Sequence, residues 1–388
     1  MTWIRNSINK HYQSIVSLRR HFHTYPERST QEFNTQRKIM EELSLLGLTP
    51  QKIASTGVIA DLQGALPGKT IAIRADIDAL ELQDECEKVY QSQIPGVCHA
   101  CGHDGHIAML IGVAKLLVEC KNSLAGRVRF LFQPSEEIFP GGAEAMIREG
   151  ALNGVDAIIG THLWQSLTVG TMGITYGAMM ASPDEFTIRI QGKGGHASMP
   201  HQTVDALLVG AQIAVALNTI ISRNVDPMKQ GVISLGVFKA GDSFNIIPDT
   251  ALLNGTVRSF DETIRNLLFD RIEQITKGIC QGAGATFTIE KTLGFSPVIN
   301  HPDITKVLAK AGAETLGMEN VLTINPVMGG EDFSLYLEKI PGAFIFVGIG
   351  NEDTGIIYPQ HHPKFDMDEK ALAYGTEIMT RATLALLK

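Results

Sequence analysis

The stretch Pro95-Gly96-Val97-Cys98-His99-Ala100-Cys101-Gly102-His103-Asp104-Gly105-His106 sets two thiols, three imidazoles and a carboxylate within the nine residues from Cys98 to His106. Cys sulfur, His nitrogen and carboxylate oxygen are the donors that zinc and its neighbours take. How this run is read decides the fold. As a closed local site, Cys98-x-x-Cys101-x-His103-x-x-His106 would be a small zinc knuckle. The spacing argues against that, because zinc fingers separate their two ligand pairs by roughly a dozen residues so that the chain can wrap the ion. Here Gly102 alone separates the pairs, and His106 falls inside a helix expected over Gly105–Glu119 with Asp104 as N-cap. The run therefore reads as one loop of an open, distributed site, leading into a helix of a larger α/β domain.

The flanking sequence supports such a domain. Apolar positions recur at helical spacing through Ile15, Val16 and Leu18, and a second helix is expected from Thr30 to Leu46, ending at Gly47. Short apolar runs at Val58–Leu62, Thr70–Ala75, Val128–Phe132 and Ala157–Thr161 read as buried strands, several of them separated by helical stretches. That alternation predicts a largely parallel sheet. The character changes near Ser182-Pro183. Strands at Glu185–Gln191, Gly231–Lys239, Ala251–Phe260 and Thr286–Lys291, with helices at Val204–Ile221 and from Asp261 to about Cys280, give the order β-α-β-β-α-β of a ferredoxin-like domain. After Pro297 the α/β pattern returns, with a helix over Ile304–Leu316, a strand over Ala343–Gly348 and a last helix capped by Asp366 or Asp368. We expect residues 1–182 and 294–388 to form one discontinuous domain and 183–293 an inserted one.

At 388 residues the chain is long enough for two domains. A net charge of −8 argues against a nucleic-acid partner, which asks for a basic face. Five cysteines at irregular spacing suggest no disulfide framework, so a reducing cytoplasm is the expected compartment. The N-terminus lacks the apolar core of a signal peptide, and no apolar run reaches the length of a membrane span.

An open site needs donors from elsewhere. Phe132-Gln133-Pro134-Ser135-Glu136-Glu137 and Gly160-Thr161-His162-Leu163-Trp164 each lie at the C-terminal end of an expected strand, the rim on which α/β sheets bind ligands. Taken singly, His162 could be a hydrogen-bonded loop residue, the Glu pair solvated charge, and Asp76 or Asp78 a strand end. On one rim of one sheet they converge. Adjacent Glu136 and Glu137 point in different directions, so one can bind metal while the other reaches the attacking water. This is the division of labour of metal-assisted hydrolysis.

These residues resemble the M20 metallopeptidases, and within them the amidohydrolase subfamily of N-acyl-amino-acid amidohydrolases, hippurate hydrolases and indole-3-acetyl-amino-acid hydrolases. The matching blocks run from Arg19-Arg20-His21-Phe22-His23-x-x-Pro26-Glu27 to His361-x-Pro363-x-Phe365. Between them lie Ala75-Asp76-Ile77-Asp78-Ala79-Leu80, His99-Ala100-Cys101-Gly102-His103-Asp104, Gln133-Pro134-Ser135-Glu136-Glu137, Gly192-Lys193-Gly194-Gly195-His196-Ala197 and Gly329-Gly330-Glu331-Asp332-Phe333. The resemblance implies a zinc-exopeptidase-like catalytic domain interrupted by a ferredoxin-like lid that also mediates dimerisation. It implies two divalent ions per subunit, Zn2+ or Mn2+ foremost with Co2+ or Ni2+ as further candidates. Their ligands would be Cys101, His103, Glu137, His162 and His361, with the Cys101 thiolate as bridge. Glu136 takes the place of the general base, Asp76 that of the carboxylate orienting a ligand histidine, and His196 that of a lid histidine reaching the partner's oxyanion. Asn245 and Arg258 match weaker candidates for the substrate carboxylate. The implied reaction is hydrolysis of an N-acyl amino acid by a cytoplasmic homodimer or higher homo-oligomer, with no nucleic acid and no membrane. A dipeptidase or carboxypeptidase, a deacetylase of N-acetyldiaminopimelate, and a non-catalytic metal-binding scaffold are the alternatives. Cys98 stands where the family shows methionine: a buried residue, a substitute ligand or an oxidation liability, of which we favour the first.

Overall fold

The computed structural model describes residues 2–388, which divide into two compact units. The first comprises residues 2–179, Ile299–Asn325 and Asp332–Lys388; the second comprises Met180–Val298 and Pro326–Glu331. The inserted unit thus runs a few residues wider than 183–293 and takes in a short segment from the returning chain.

The first unit is built on an eight-stranded sheet. Its order is Gln51–Ile53, Gly57–Gln63, Ala125–Gln133, Leu66–Asp76, Ala157–Thr168, Gly342–Gly350, Met172–Ile174, Val321–Thr323. The four central strands, Ala125–Gln133 through Gly342–Gly350, are mutually parallel. Parallel strands covered on both faces read as continuous apolar runs, and Gly342–Gly350 is buried at every position. Helix His103–Glu119 is buried almost all round, as its run Ile107-Ala108-Met109-Leu110-Ile111 requires. It packs on Thr2–Thr24 and Lys370–Leu386, and Ile15, Phe22, Ile111, Phe130, Ile345 and Leu372 share one core.

That helix begins two residues earlier than its sequence suggests, and Asp104 does not cap it. Gly102 precedes it with φ 88°, a left-handed conformation that favours glycine. The Asp104 carboxylate instead accepts from Arg19 Nε at 2.8 Å and His23 Nδ1 at 2.7 Å, in a fully buried cluster that also joins Arg19 to Asp366 at 2.9 Å.

The second unit carries a four-stranded antiparallel sheet in the order Gly231–Lys239, Thr250–Ser259, Ser182–Gln191, Thr286–Thr292. With helices Ala206–Leu217 and Glu262–Ala283 this is the ferredoxin-like arrangement. Strand Thr250–Ser259 alternates buried and half-exposed, as a sheet with one covered face should. Asp261 caps the second helix, accepting from the N–H groups of Thr263 at 2.8 Å and Ile264 at 3.2 Å. Among the described residues, no helix is long and apolar enough to cross a membrane.

Candidate metal centre

Strand register explains why distant residues meet. Asp76 pairs with Gln133 at the ends of their strands, and Arg74 pairs with Gly160. The chain leaving Leu66–Asp76 carries Asp78, and the chain leaving Ala125–Gln133 carries Glu136 and Glu137. His162 is not at a strand end, because its strand continues to Thr168. The loop entering helix His103–Glu119 supplies Cys101. His361 is tied to that loop by its N–H, which donates to the Ala100 carbonyl at 2.8 Å.

Five side chains form two donor sets that share one atom. Ligand atoms of Cys101, His103 and His162 lie within 4.8 Å of one another, as do those of Cys101, Glu137 and His361. Cys101 Sγ is 3.4 Å from His162 Nε2, His361 Nε2 is 3.4 Å from Glu137 Oε1, and His103 Nε2 is 3.8 Å from the same oxygen. Donors on one tetrahedral ion at ~2.0–2.3 Å stand about 3.4–3.8 Å apart, so the 3.4 Å separations within the two sets each suit a shared cation. His103 Nε2 and Glu137 Oε1 are buried with no hydrogen-bond partner, a costly state for polar atoms that a cation would relieve. Glu136 lies with His103 and Glu137 in a third such set.

The surroundings aim these donors. Asp78 presents Oδ1 to His103 Nδ1 at 3.2 Å, and its main-chain carbonyl accepts from the same nitrogen at 2.9 Å, which leaves Nε2 bare. Asp78 Oδ2 accepts the Glu137 N–H at 3.0 Å and the Ser29 hydroxyl at 2.7 Å. One carboxylate thus fixes two donors. Ser135, just before the Glu pair, has φ 56°, and His361 has φ 63°; both are left-handed positions that cost a residue with a Cβ. Ser135 is held there by buried Glu32, whose Oε1 accepts its N–H at 2.9 Å. A Cβ on Gly105 would meet Leu163 Cδ1 at 2.4 Å, so glycine there lets the helix approach the His162 strand.

The electrostatics also suit a cation. Burial opposes a charge on His103, but Asp76, Asp78 and Glu137 outweigh it and push its pKa up to about 10. Burial, with Glu137, Glu136 and Asp76 adding to it, raises the Cys101 thiol well above its usual range. His162 is driven the other way, by burial and by His106, so it stays neutral with a lone pair to offer. Protons occupy His103 and Cys101 where a divalent ion would otherwise balance the carboxylates.

The sequence model of the peptidase family M20/M25/M40 matches residues 72–385. The chain belongs to this family. An N-acyl-L-amino acid amidohydrolase of Geobacillus stearothermophilus is 46% identical over 301 residues, 77% of this chain and 81% of that protein. Thermostable carboxypeptidase 1 of Saccharolobus solfataricus is 40% identical over 387 residues, 99% of this chain and 97% of that one. The crystal structure of the Bacillus subtilis YXEP protein, described as a dinuclear metal binding peptidase from the M20 family, superposes with a TM-score of 0.86 at 36% identity, covering 98% of this chain and 99% of that one. An M20 chain is a hydrolase of amide bonds.

Within this M20 chain, Asp76, expected to orient a ligand histidine, does not hold His103 by its Nδ1. The bonds to His103 Nδ1 come from Asp78, whereas Asp76 Oδ1 accepts from His106 Nδ1 at 2.5 Å and Oδ2 from Arg74 at 2.6 Å. Asp78 was legible only as the second acid of Asp76-x-Asp78, and choosing between them needs the register of the strand end. Glu32 carries no sequence signal at all. Cys98 is 2% exposed in the apolar core, and burial pushes its thiol up to about 12, as a structural cysteine requires. His196, Asn245 and Arg258 belong to the second unit. His196 is exposed on a two-residue strand paired with Ile246, and its Nδ1 lies 2.9 Å from the Ser198 hydroxyl. Asn245 is exposed and accepts from Ser243 at 2.7 Å, and Arg258 is half-buried in strand Thr250–Ser259.

Proposed function

We propose that this M20 chain hydrolyses the amide bond of N-acyl amino acids. The observation that carries this reading is the pair of donor sets sharing Cys101, with a second carboxylate, Glu136, beside them. Cys101, His103 and His162 would hold one divalent ion and Cys101, Glu137 and His361 a second. When bound, the ions supply Lewis acidity that polarises the scissile carbonyl and acidifies water. Glu136 takes the proton of the attacking water and delivers it to the leaving amine. Asp78 keeps His103 and the Glu137 backbone in place throughout. His196 is the candidate oxyanion partner, and Asn245 and Arg258 are the candidates for the substrate carboxylate, Arg258 by its fork of donors. We assign to the second unit the roles of lid and dimerisation surface, to the native metal Zn2+ or Mn2+, and to the protein a cytoplasmic setting.

The 46% identity to an N-acyl-L-amino acid amidohydrolase supports the substrate class. The 40% identity to a carboxypeptidase, over nearly the full length of both chains, favours a second reading as a peptidase. The deciding experiment assays N-acetyl amino acids, hippurate, N-acetyldiaminopimelate, dipeptides and longer peptides on apo enzyme reconstituted with Zn2+, Mn2+, Co2+ or Ni2+. N-acyl amino acids should give the highest kcat/KM. A dipeptide or longer peptide preferred by about tenfold would replace this reading with the peptidase one. Metal uptake with no turnover of any substrate would leave a binding scaffold.

A further inference from the structure

The ladder between Leu66–Asp76 and Ala157–Thr168 ends at Arg74 and Gly160. Beyond that rung, the backbone of the second strand has no strand partner on this side, and its buried polar groups need others. Side chains provide them. The Leu163 N–H donates to His106 Nε2 at 2.9 Å. The Leu163 carbonyl accepts from His162 Nδ1 at 2.7 Å and from Gln360 Nε2 at 2.9 Å.

These contacts fix two tautomers. Because an amide N–H points at His106 Nε2, that nitrogen must be bare, and the ring proton sits on Nδ1 facing Asp76 Oδ1, 2.5 Å away. Because a carbonyl faces His162 Nδ1, the proton sits there, and Nε2 is left bare toward Cys101 Sγ. We propose that His106 is a positioning residue: anchored by Asp76, it holds Leu163 so that His162 presents Nε2 to the ion. His106 itself has both nitrogens occupied and is not a ligand. The same Leu163 carbonyl, through Gln360, steadies the segment that leads into His361. The inference rests on the reading of His162 as an ion donor.

The test titrates the apo chain with Co2+, followed by visible absorption, for the wild type and for His106→Leu. The wild type should take up two ions; uptake of none would sink the metal reading itself. In His106→Leu one ion should bind about 10–100-fold more weakly, as loss of a partner that orients a ligand does, while the other keeps its affinity. Two unchanged affinities, or equal weakening of both, would overturn the positioning role. A second measurement needs no variant: histidine 15N shifts of the metal-loaded wild type should show His106 neutral with its proton on Nδ1. A proton on Nε2, or an imidazolium at neutral pH, would refute the proposal even if His106→Leu failed to fold.

Discussion

Loading the apo chain with a divalent ion should release two or more protons. The count follows from the donors. The Cys101 thiol is raised well above its usual range by burial and by Glu137, Glu136 and Asp76, so it carries its proton at pH 7.5. His103, against the opposing effect of burial, is pushed up to about 10 by Asp76, Asp78 and Glu137, and at pH 7.5 it too is protonated. His162, lowered by burial and by His106, has no proton to lose. His361 is raised by the Glu137 carboxylate beside it and adds a fraction of a proton where it is charged. A metal binds thiolate and neutral imidazole, so both protons must leave. The sign follows: affinity rises with pH while Cys101 and His103 remain protonated in the apo state. Two protons make the apparent association constant climb about a hundredfold per pH unit, ~2.7 kcal/mol, across the neutral range. Isothermal titration with Zn2+ in buffers of different ionisation enthalpy reads the proton count directly. Release of fewer than one proton, or an affinity flat between pH 6.5 and 8.5 on the scale of that slope, would refute the reasoning that protons hold the places of the ions.

Glu136→Gln should abolish turnover with metal content intact, measured by elemental analysis beside the assay; loss of both would mean that Glu136 is a ligand. Asp78→Ala should weaken metal binding about 10–100-fold, because His103 and the Glu137 backbone lose one shared anchor. Cys98→Ala should keep metal content and activity, and loss of an ion on titration would make Cys98 a ligand after all. Arg19→Met should destabilise the first unit by about 3–5 kcal/mol in urea unfolding, since it strands Asp104 and Asp366 in the interior. Burial alone would raise the Asp104 carboxyl, but Arg19 and His23 outweigh it and hold it well below the usual range. Its stabilisation is therefore present above the unfolded value and lost as pH falls through the folded one, so the wild type should lose more stability in acid than the variant does.

The fold was legible where one physical signal dominated. Continuous apolar runs marked the central parallel strands, and alternation marked Thr250–Ser259, because the two kinds of sheet bury one face or two. Asp261 announced its helix because a carboxylate before a polar first turn has few better uses there. Asp104 misled for the same reason: it sits where a cap should sit, but a fully buried carboxylate is worth more paired to Arg19 and His23 than bonded to a helix N–H. Nothing local to residues 98–106 reveals that pairing, since its partners lie about eighty residues away in the first helix.

The site shows the same limit more sharply. Residue type marks the Cys101–His103 loop, the Glu136-Glu137 pair and His162 as candidates, and the resemblance to the M20 family narrows these to Cys101, His103, Glu137 and His162 and adds His361 as the expected donors. What aims them is set by register. Asp76 and Asp78 are the same residue two positions apart, yet Asp78 meets His103 and Asp76 meets His106, because the chain has left the sheet between them. His106 looks from sequence like a spare ligand, and only the end of the ladder at Arg74 and Gly160 shows why an imidazole is needed there: on the side facing Leu66–Asp76, Leu163 has no strand partner and takes a side chain in its place. A sequence can therefore name the donors of a distributed metal centre, while the residues that orient them become visible only once the strands have been counted out rung by rung.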